Sequence, residues 1–230
     1  MPDSSSTHPD GARPHTPGEA ALWYASIFGW PVRPGYGWAA DTGACACEAT
    51  ADCSSIGAHP APGPWERAES AAPSLVRSVW RLCPGAPVLA VLGRPVPGAA
   101  RLGVLDAPAL VGAAALERIG KTPAAAGPIT DGQGRIRFLV DVGASGGKHR
   151  FLDAWRAAGV DLRLAEDGYC ALPTPGAVGR PAVVWAVPPD PRHRRLPLAE
   201  LIEAVIDRAV RDAYPAMWNA PIGSGACDAL

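Results

Sequence analysis

Residues 100–120, ARLGVLDAPALVGAAALERIG, settle the class of fold. Their first part is an apolar, strand-like run that ends on Asp106, and LVGAAALERIG after it is patterned as a helix. The next readable strand is GRIRFLVDVG, residues 134–143, with apolar side chains on alternate positions at Ile136, Phe138 and Val140. A helix over GGKHRFLDAWRAAG (146–159) follows, then short strands at VDLRL, GYCALP and PAVVWAVP. The helix LPLAELIEAVIDRAVRDA (196–213) carries Leu198, Leu201, Ile202, Val205 and Val210 on one stripe and is expected to pack on the domain. Strands and helices mixed in this way, with few long parallel βαβ units, favour an α+β domain over a doubly wound one.

The first half alternates similarly. Thr16-Pro17-Gly18-Glu19 offers a capping hydroxyl, a proline at the first helical position and a glutamate placed for a capping box, so a helix should run through AALWYASIF and stop at Gly29. GWPVRP (29–34) reads as a short buried strand. PSLVRSVWRLCPG (73–85) reads as a helix with Leu75, Val76, Val79 and Leu82 at helical spacing, and APVLAVLG (86–93) as a strand. The expected organisation is a disordered arm at 1–15, one domain over 16–195, its C-terminal helix at 196–213 and a loose tail at 214–230.

At 230 residues, 48% hydrophobic and 19% charged, the chain suits one good core. A formal charge of −1 excludes the basic field of an avid nucleic-acid binder, so any nucleic acid is held locally or weakly. No apolar run approaches the roughly 20 residues that cross a bilayer, and the first fifteen residues lack the order of a signal peptide. The expected setting is cytoplasmic, with no membrane partner.

Three of the six cysteines fall in CACEATADCSSIGAHP, residues 45–60. In a reducing compartment clustered thiols are metal ligands more often than disulfide partners. Cys45, Cys47, Cys53 and His59 supply a full tetrahedral set for a structural Zn²⁺ within a loop spanning about 43–60. An unmetallated loop and a redox device are the other readings, the latter without a C-x-x-C motif.

Four stretches in order, GWPVRP, CACEATADCSSIGAHP, LGVLDAP and GVDLRLAEDGYCALPTP, resemble the landmarks of the bifunctional DNA primase/polymerase N-terminal domain of the archaeo-eukaryotic primase superfamily. The resemblance spans residues 18 to about 190 and looks like a degenerate, actinobacterial-type member. It implies a primase/polymerase-like mixed sheet flanked by helices, with nucleotidyl transfer from nucleoside triphosphates on a DNA template. Such chemistry uses two Mg²⁺ or Mn²⁺ ions held by convergent carboxylates.

Carried over residue by residue, the pattern is incomplete. Asp106 matches the first acid of the family's aspartate-x-aspartate pair, but the second position is Pro108. Asp161 matches the late aspartate; without the resemblance it reads as a solvated residue paired with Arg163, and Asp106 as a turn or capping residue. For the family's glycine-rich turn and nucleotide-contacting histidine, TDGQGRIRFLV fits best, with Gly134 and Arg135 in place and Ile136 where the histidine belongs. A rival fit uses GASGGKHRFL, with Gly146, Gly147, Lys148 and His149 as a phosphate-binding turn. The expectation is a degenerate site in which nucleotide or nucleic-acid binding outlives catalysis. The alternative is a non-catalytic, zinc-stabilised module that docks a helicase or another replication protein.

Overall fold

The computed structural model describes residues 14–39, 44–47, 53, 59–63, 69–119, 127–143, 150–176 and 183–213. Residues 1–13 of the expected arm, the whole expected tail at 214–230 and the turn at 144–149 with Gly147, Lys148 and His149 lie outside them. The chain divides into two compact units, residues 1–91 with 169–180 and residues 92–168 with 181–230.

In the first unit, α1 (Pro17–Trp23) opens as the sequence dictates. Thr16 Oγ1 accepts from the Glu19 amide at 3.2 Å, and Glu19 Oε2 accepts from the amide of Thr16 at 3.2 Å. The helix then widens into a π turn over Tyr24–Phe28 and stops at Gly29, whose φ of 67° suits a residue without a Cβ. Buried Tyr24, Phe28 and Trp30 stack around that turn, and the Tyr24 hydroxyl donates to the Pro173 carbonyl at 2.6 Å. They pack near a three-stranded antiparallel sheet ordered β1 (Val32–Pro34), β4 (Val88–Val91) and β9 (Tyr169–Ala171). A short ribbon pairs β2 (Trp38–Ala39) with β3 (Ala44–Cys45). In α2 (Pro73–Leu82) the buried stripe is Val76, Val79 and Trp80; Leu75 and Leu82, expected on it, face solvent. The indole Nε1 of Trp80 donates to the Ala86 carbonyl at 3.1 Å, which lets the larger ring take the inward place.

The second unit is built on a five-stranded sheet ordered β10 (Val184–Val187), β6 (Ile129–Gly132), β7 (Arg135–Asp141), β5 (Leu102–Pro108) and β8 (Arg163–Ala165). The α+β class is borne out; within it, every named strand pairing is antiparallel, a finer feature than the mixed sheet expected. The helices α3 (Ala109–Ile119), α4 (Arg150–Ala157) and α5 (Ala199–Ala213) contribute to one core with Leu105, Ile129, Ile136, Phe138 and Val140 of the sheet. The inward stripe of α5 is Ile202, Ile206, Ala209 and Val210, whereas Leu198 and Leu201 are exposed. Trp155 of α4 is anchored to α5 by its indole, which donates to Asp207 Oδ1 at 2.8 Å. No helix among the described residues is long and apolar enough to cross a membrane.

One glycine fixes how closely α3 lies on β7. A Cβ on Gly112 would stand 2.4 Å from the Cβ of Ile136. Gly112→Ala is expected to destabilise the protein by about 1–3 kcal/mol through overpacking, read as a fall in denaturation midpoint at unchanged denaturant slope.

Candidate functional site

A tight turn at Gln133–Gly134 places the first group of residues. Both have positive φ, 60° and 70°, the conformation that a two-residue hairpin with matching strand twist requires. This sets Gly132 opposite Arg135 and carries the register along β7, so that Ile136 faces Asp131 and Arg137 faces Thr130. On its other edge β7 pairs Arg137 with Asp106 and Arg135 with Pro108, and β5 in turn pairs Asp106 with Arg163. Directly opposed residues of antiparallel strands share a face. One row across the sheet is therefore Trp185, Thr130, Arg137, Asp106 and Arg163.

The two aspartates singled out from sequence do come together, joined by one side chain. Arg135 Nε donates to Asp106 Oδ1 at 3.0 Å, and its Nη1 donates to Asp161 Oδ2 at 2.9 Å. Its Nη2 donates to the backbone carbonyls of Asp161, at 2.8 Å, and Asp106, at 3.2 Å. Arg163 grips Asp161 with a bidentate fork, Nε to Oδ1 and Nη2 to Oδ2, both 2.8 Å. The solvated Asp161–Arg163 pair read from sequence is thus present, and Arg135 is added to it.

Arg137 is the remaining cation. Its Nε lies 3.7 Å from Asp106 Oδ1, and its hydrogen bonds, to the Gly132 carbonyl and Gln133 Oε1, are both 3.4 Å. Its side chain is only 14% exposed, against 65% for Arg163. Beside it Thr130 is fully buried, and its hydroxyl has no hydrogen-bond partner among the described residues.

Ile136, the position aligned with the family histidine, is buried in the helix-covered core and points away from this row. The side chain of β7 that stands opposite Asp106 is Arg137. Sequence reading missed Arg137 and Thr130, although the signal was there. Once Ile136, Phe138 and Val140 are assigned to one face, Arg135 and Arg137 belong to the other.

The second group lies in the first unit. Beyond β1 the chain continues through Gly35 and Tyr36, where the Tyr36 amide donates to the His59 carbonyl at 3.1 Å and the Ala61 amide to the Pro34 carbonyl at 3.0 Å. The β2–β3 ribbon brings Cys45 opposite Trp38, and the Ala46 amide donates to the Gly37 carbonyl at 3.0 Å. These bonds gather Cys45, Cys47, Cys53 and His59, whose ligand atoms all lie within 4.8 Å of one another. His59 Nε2 is 3.2 Å from Cys45 Sγ and 3.3 Å from Cys53 Sγ. A tetrahedral zinc shell, with bonds of about 2.3 Å to sulfur and 2.0 Å to nitrogen, spaces its ligand atoms about 3.5–3.8 Å apart. The cluster could hold such an ion, and with four protein ligands it would leave no position for water. The Tyr36 ring, 4.8 Å from the imidazole between centroids, covers one side of His59.

The hydrogen bonds from Arg163, followed by the charges of Arg135 and Arg163, hold the Asp161 carboxyl below the usual aspartate range. A carboxylate depressed in the folded state adds stability above its unfolded-state value and loses it as pH falls through the folded one. The Asp161 carboxyl resonance is expected to titrate below an unperturbed aspartate, and in Arg163→Gln to move back up toward it, as followed by carbon NMR.

Comparison with known families places both groups in one context. The family model of the bifunctional DNA primase/polymerase N-terminal domain matches residues 21–203. No curated protein and no solved structure matches the chain. The matched span contains the Cys/His cluster, Asp106, Asp161 and the Gln133–Gly134 turn. With most of its length covered in this way, the chain belongs to the bifunctional DNA primase/polymerase N-terminal family, a family of primase/polymerase-like nucleotidyltransferases.

Proposed function

We propose that this domain binds nucleoside triphosphates or single-stranded nucleic acid on the Asp106 face of the five-stranded sheet without performing template-directed synthesis. The observation that carries the reading is the row across that face. Position 108 is a proline where the family pattern has a second acid, and Ile136, where the pattern has an imidazole, is turned into the core, so that β7 presents Arg135 and Arg137 on this face instead. Losing one ligand of a two-metal site removes several kcal/mol of charge stabilisation in the transition state, about three powers of ten in rate. The arginines support retained binding, because guanidinium forks match phosphate oxygens. With a net charge near zero over the whole chain, such binding is local and salt-sensitive.

In the same reading the Cys45, Cys47, Cys53 and His59 cluster holds Zn²⁺ as a structural ion. Its donor set is the one zinc favours, and a closed shell gives it a folding role without a chemical one. The protein works in the cytoplasm, where a helicase or other replication protein would supply what the domain lacks.

Two measurements test this. Primer extension with Mn²⁺ and labelled deoxynucleotides is expected to give no product, while fluorescence anisotropy at low salt detects binding of a triphosphate or single-stranded DNA. Robust synthesis that Asp106→Ala abolishes would overturn the proposal, and absence of any binding would leave only an interaction role. For the cluster, metal analysis is expected to find one zinc per chain, and Cys47→Ser to lower both zinc content and melting temperature; a variant as stable as the parent would remove the structural role.

A further inference from the structure

The family's chemistry calls for divalent ions at the carboxylates now represented by Asp106 and Asp161. A hard cation needs several oxygen ligands turned toward one open position. Here the position between the two side chains is filled. Arg135 reaches both carboxylates and both backbone carbonyls through its Nε, Nη1 and Nη2, at 2.8–3.2 Å. Both Asp161 oxygens are also engaged by Arg163. The donor set that remains does not fit a divalent ion, since Asp106 Oδ1, both Asp161 carboxylate oxygens and both backbone carbonyls already accept from guanidinium groups.

The same residues change the sign of the site. Asp106 and Asp161 bring two negative charges, and Arg135, Arg137 and Arg163 bring three positive ones, an excess of one cation. Arg137 is the group through which that excess acts. It is largely buried, yet its contacts are 3.4 Å or longer, at the outer limit of a useful hydrogen bond. On the same face Thr130 adds a buried hydroxyl with no partner among the described residues. Buried donors are ordinarily satisfied, so a guanidinium and a hydroxyl short of good acceptors on adjacent strands point to an oxygen-rich ligand.

We propose that the Arg135 guanidinium is the resident cation of this aspartate pair in place of a divalent metal, and that Arg137 with Thr130 binds a triphosphate group without metal. The phosphate half rests on the nucleotide-binding reading above; the metal half does not.

The test uses the full-length, zinc-loaded protein in buffer depleted of Mg²⁺ and Mn²⁺ by resin, so that the Cys/His cluster keeps its metal. Titration with Mn²⁺, followed by the electron paramagnetic resonance signal of the free ion, is expected to show no site in the parent protein and a new site in Arg135→Met. Because the variant gains a property, misfolding does not mimic the result. Calorimetry with ATP and with inorganic tripolyphosphate is expected to give affinities equal within about twofold with and without Mg²⁺, and Arg137→Gln to weaken both by about tenfold or more. Mn²⁺ bound by the parent protein and lost in Asp161→Asn, or ATP binding that requires Mg²⁺, overturns the inference. Failure of ATP, tripolyphosphate and single-stranded DNA to bind in either buffer overturns the nucleotide-binding reading and the phosphate half with it. The Mn²⁺ titration is read without any nucleotide and so distinguishes the two failures.

Discussion

β5 is hydrogen-bonded on both edges, to β7 along its full length and to β8 at Val104–Asp106. That double pairing decides what surrounds Asp106. A strand with partners on both sides cannot slip by one residue without moving its apolar set off the core. Leu105 and Ala107, both fully buried, therefore pin Asp106 to the opposite face. The register of the two neighbours then places Arg137 on one side of it and Arg163 on the other, and the hairpin at Gln133–Gly134 brings Arg135 opposite Pro108. Pro108 has no amide hydrogen to contribute to the ladder, and α3 starts at the next residue.

The ionic contacts on this face are not equivalent. Asp161 and Arg163 are 48% and 65% exposed, and pairs so solvated contribute about 0–1 kcal/mol. Asp106, Arg135 and Arg137 are each less than one-fifth exposed, so their interactions are screened less. A divalent ion placed about 4 Å from the Arg135 guanidinium would meet a repulsion of about 8 kcal/mol at an effective dielectric of 20. Withdrawing the guanidinium instead would break four hydrogen bonds, two of them to backbone carbonyls that gain nothing from the exchange. Either route adds a cost that a divalent ion at an aspartate pair without a guanidinium does not meet.

Much of this was legible in the chain. The capping box at Thr16, the stop at Gly29, the strand after Arg101 and the apolar alternation of β7 follow from local chemistry, and the structure bears them out. The Cys/His spacing announced a ligand set because thiols and imidazole are scarce here and three of the six cysteines lie in one loop. The helix stripes were read less well. Helical spacing places Val76, Val79, Ile202 and Val210 inward correctly, but it also turns Leu75, Leu82, Leu198 and Leu201 inward, and these are exposed while Trp80 and Ile206 are buried. The role of Arg135 was the least legible, since matching a motif letter by letter finds where an acid is missing but not what occupies its ligands. That depends on cross-strand register, which joins residues 106, 135, 137 and 161 only after the sheet has formed.

The two groups of functional side chains answer to different physical demands, and this explains why one is closed and the other is not. Three thiols and an imidazole, in β3 and the chain that follows it, would satisfy a single tetrahedral ion completely and leave that cluster nothing to offer a substrate. On the sheet, two carboxylates satisfy Arg135 and Arg163, but no described residue satisfies Arg137 or Thr130 at short range. A largely buried guanidinium held only by such long contacts gains from a closer acceptor. Such a shortfall, carried beside a hydroxyl on the next strand, is a property of binding surfaces, in which the ligand supplies the missing half of the hydrogen-bond inventory. The chemistry of that missing half is fixed by what is already there: anionic, rich in acceptors and small enough to meet two adjacent strands, which describes a phosphate group.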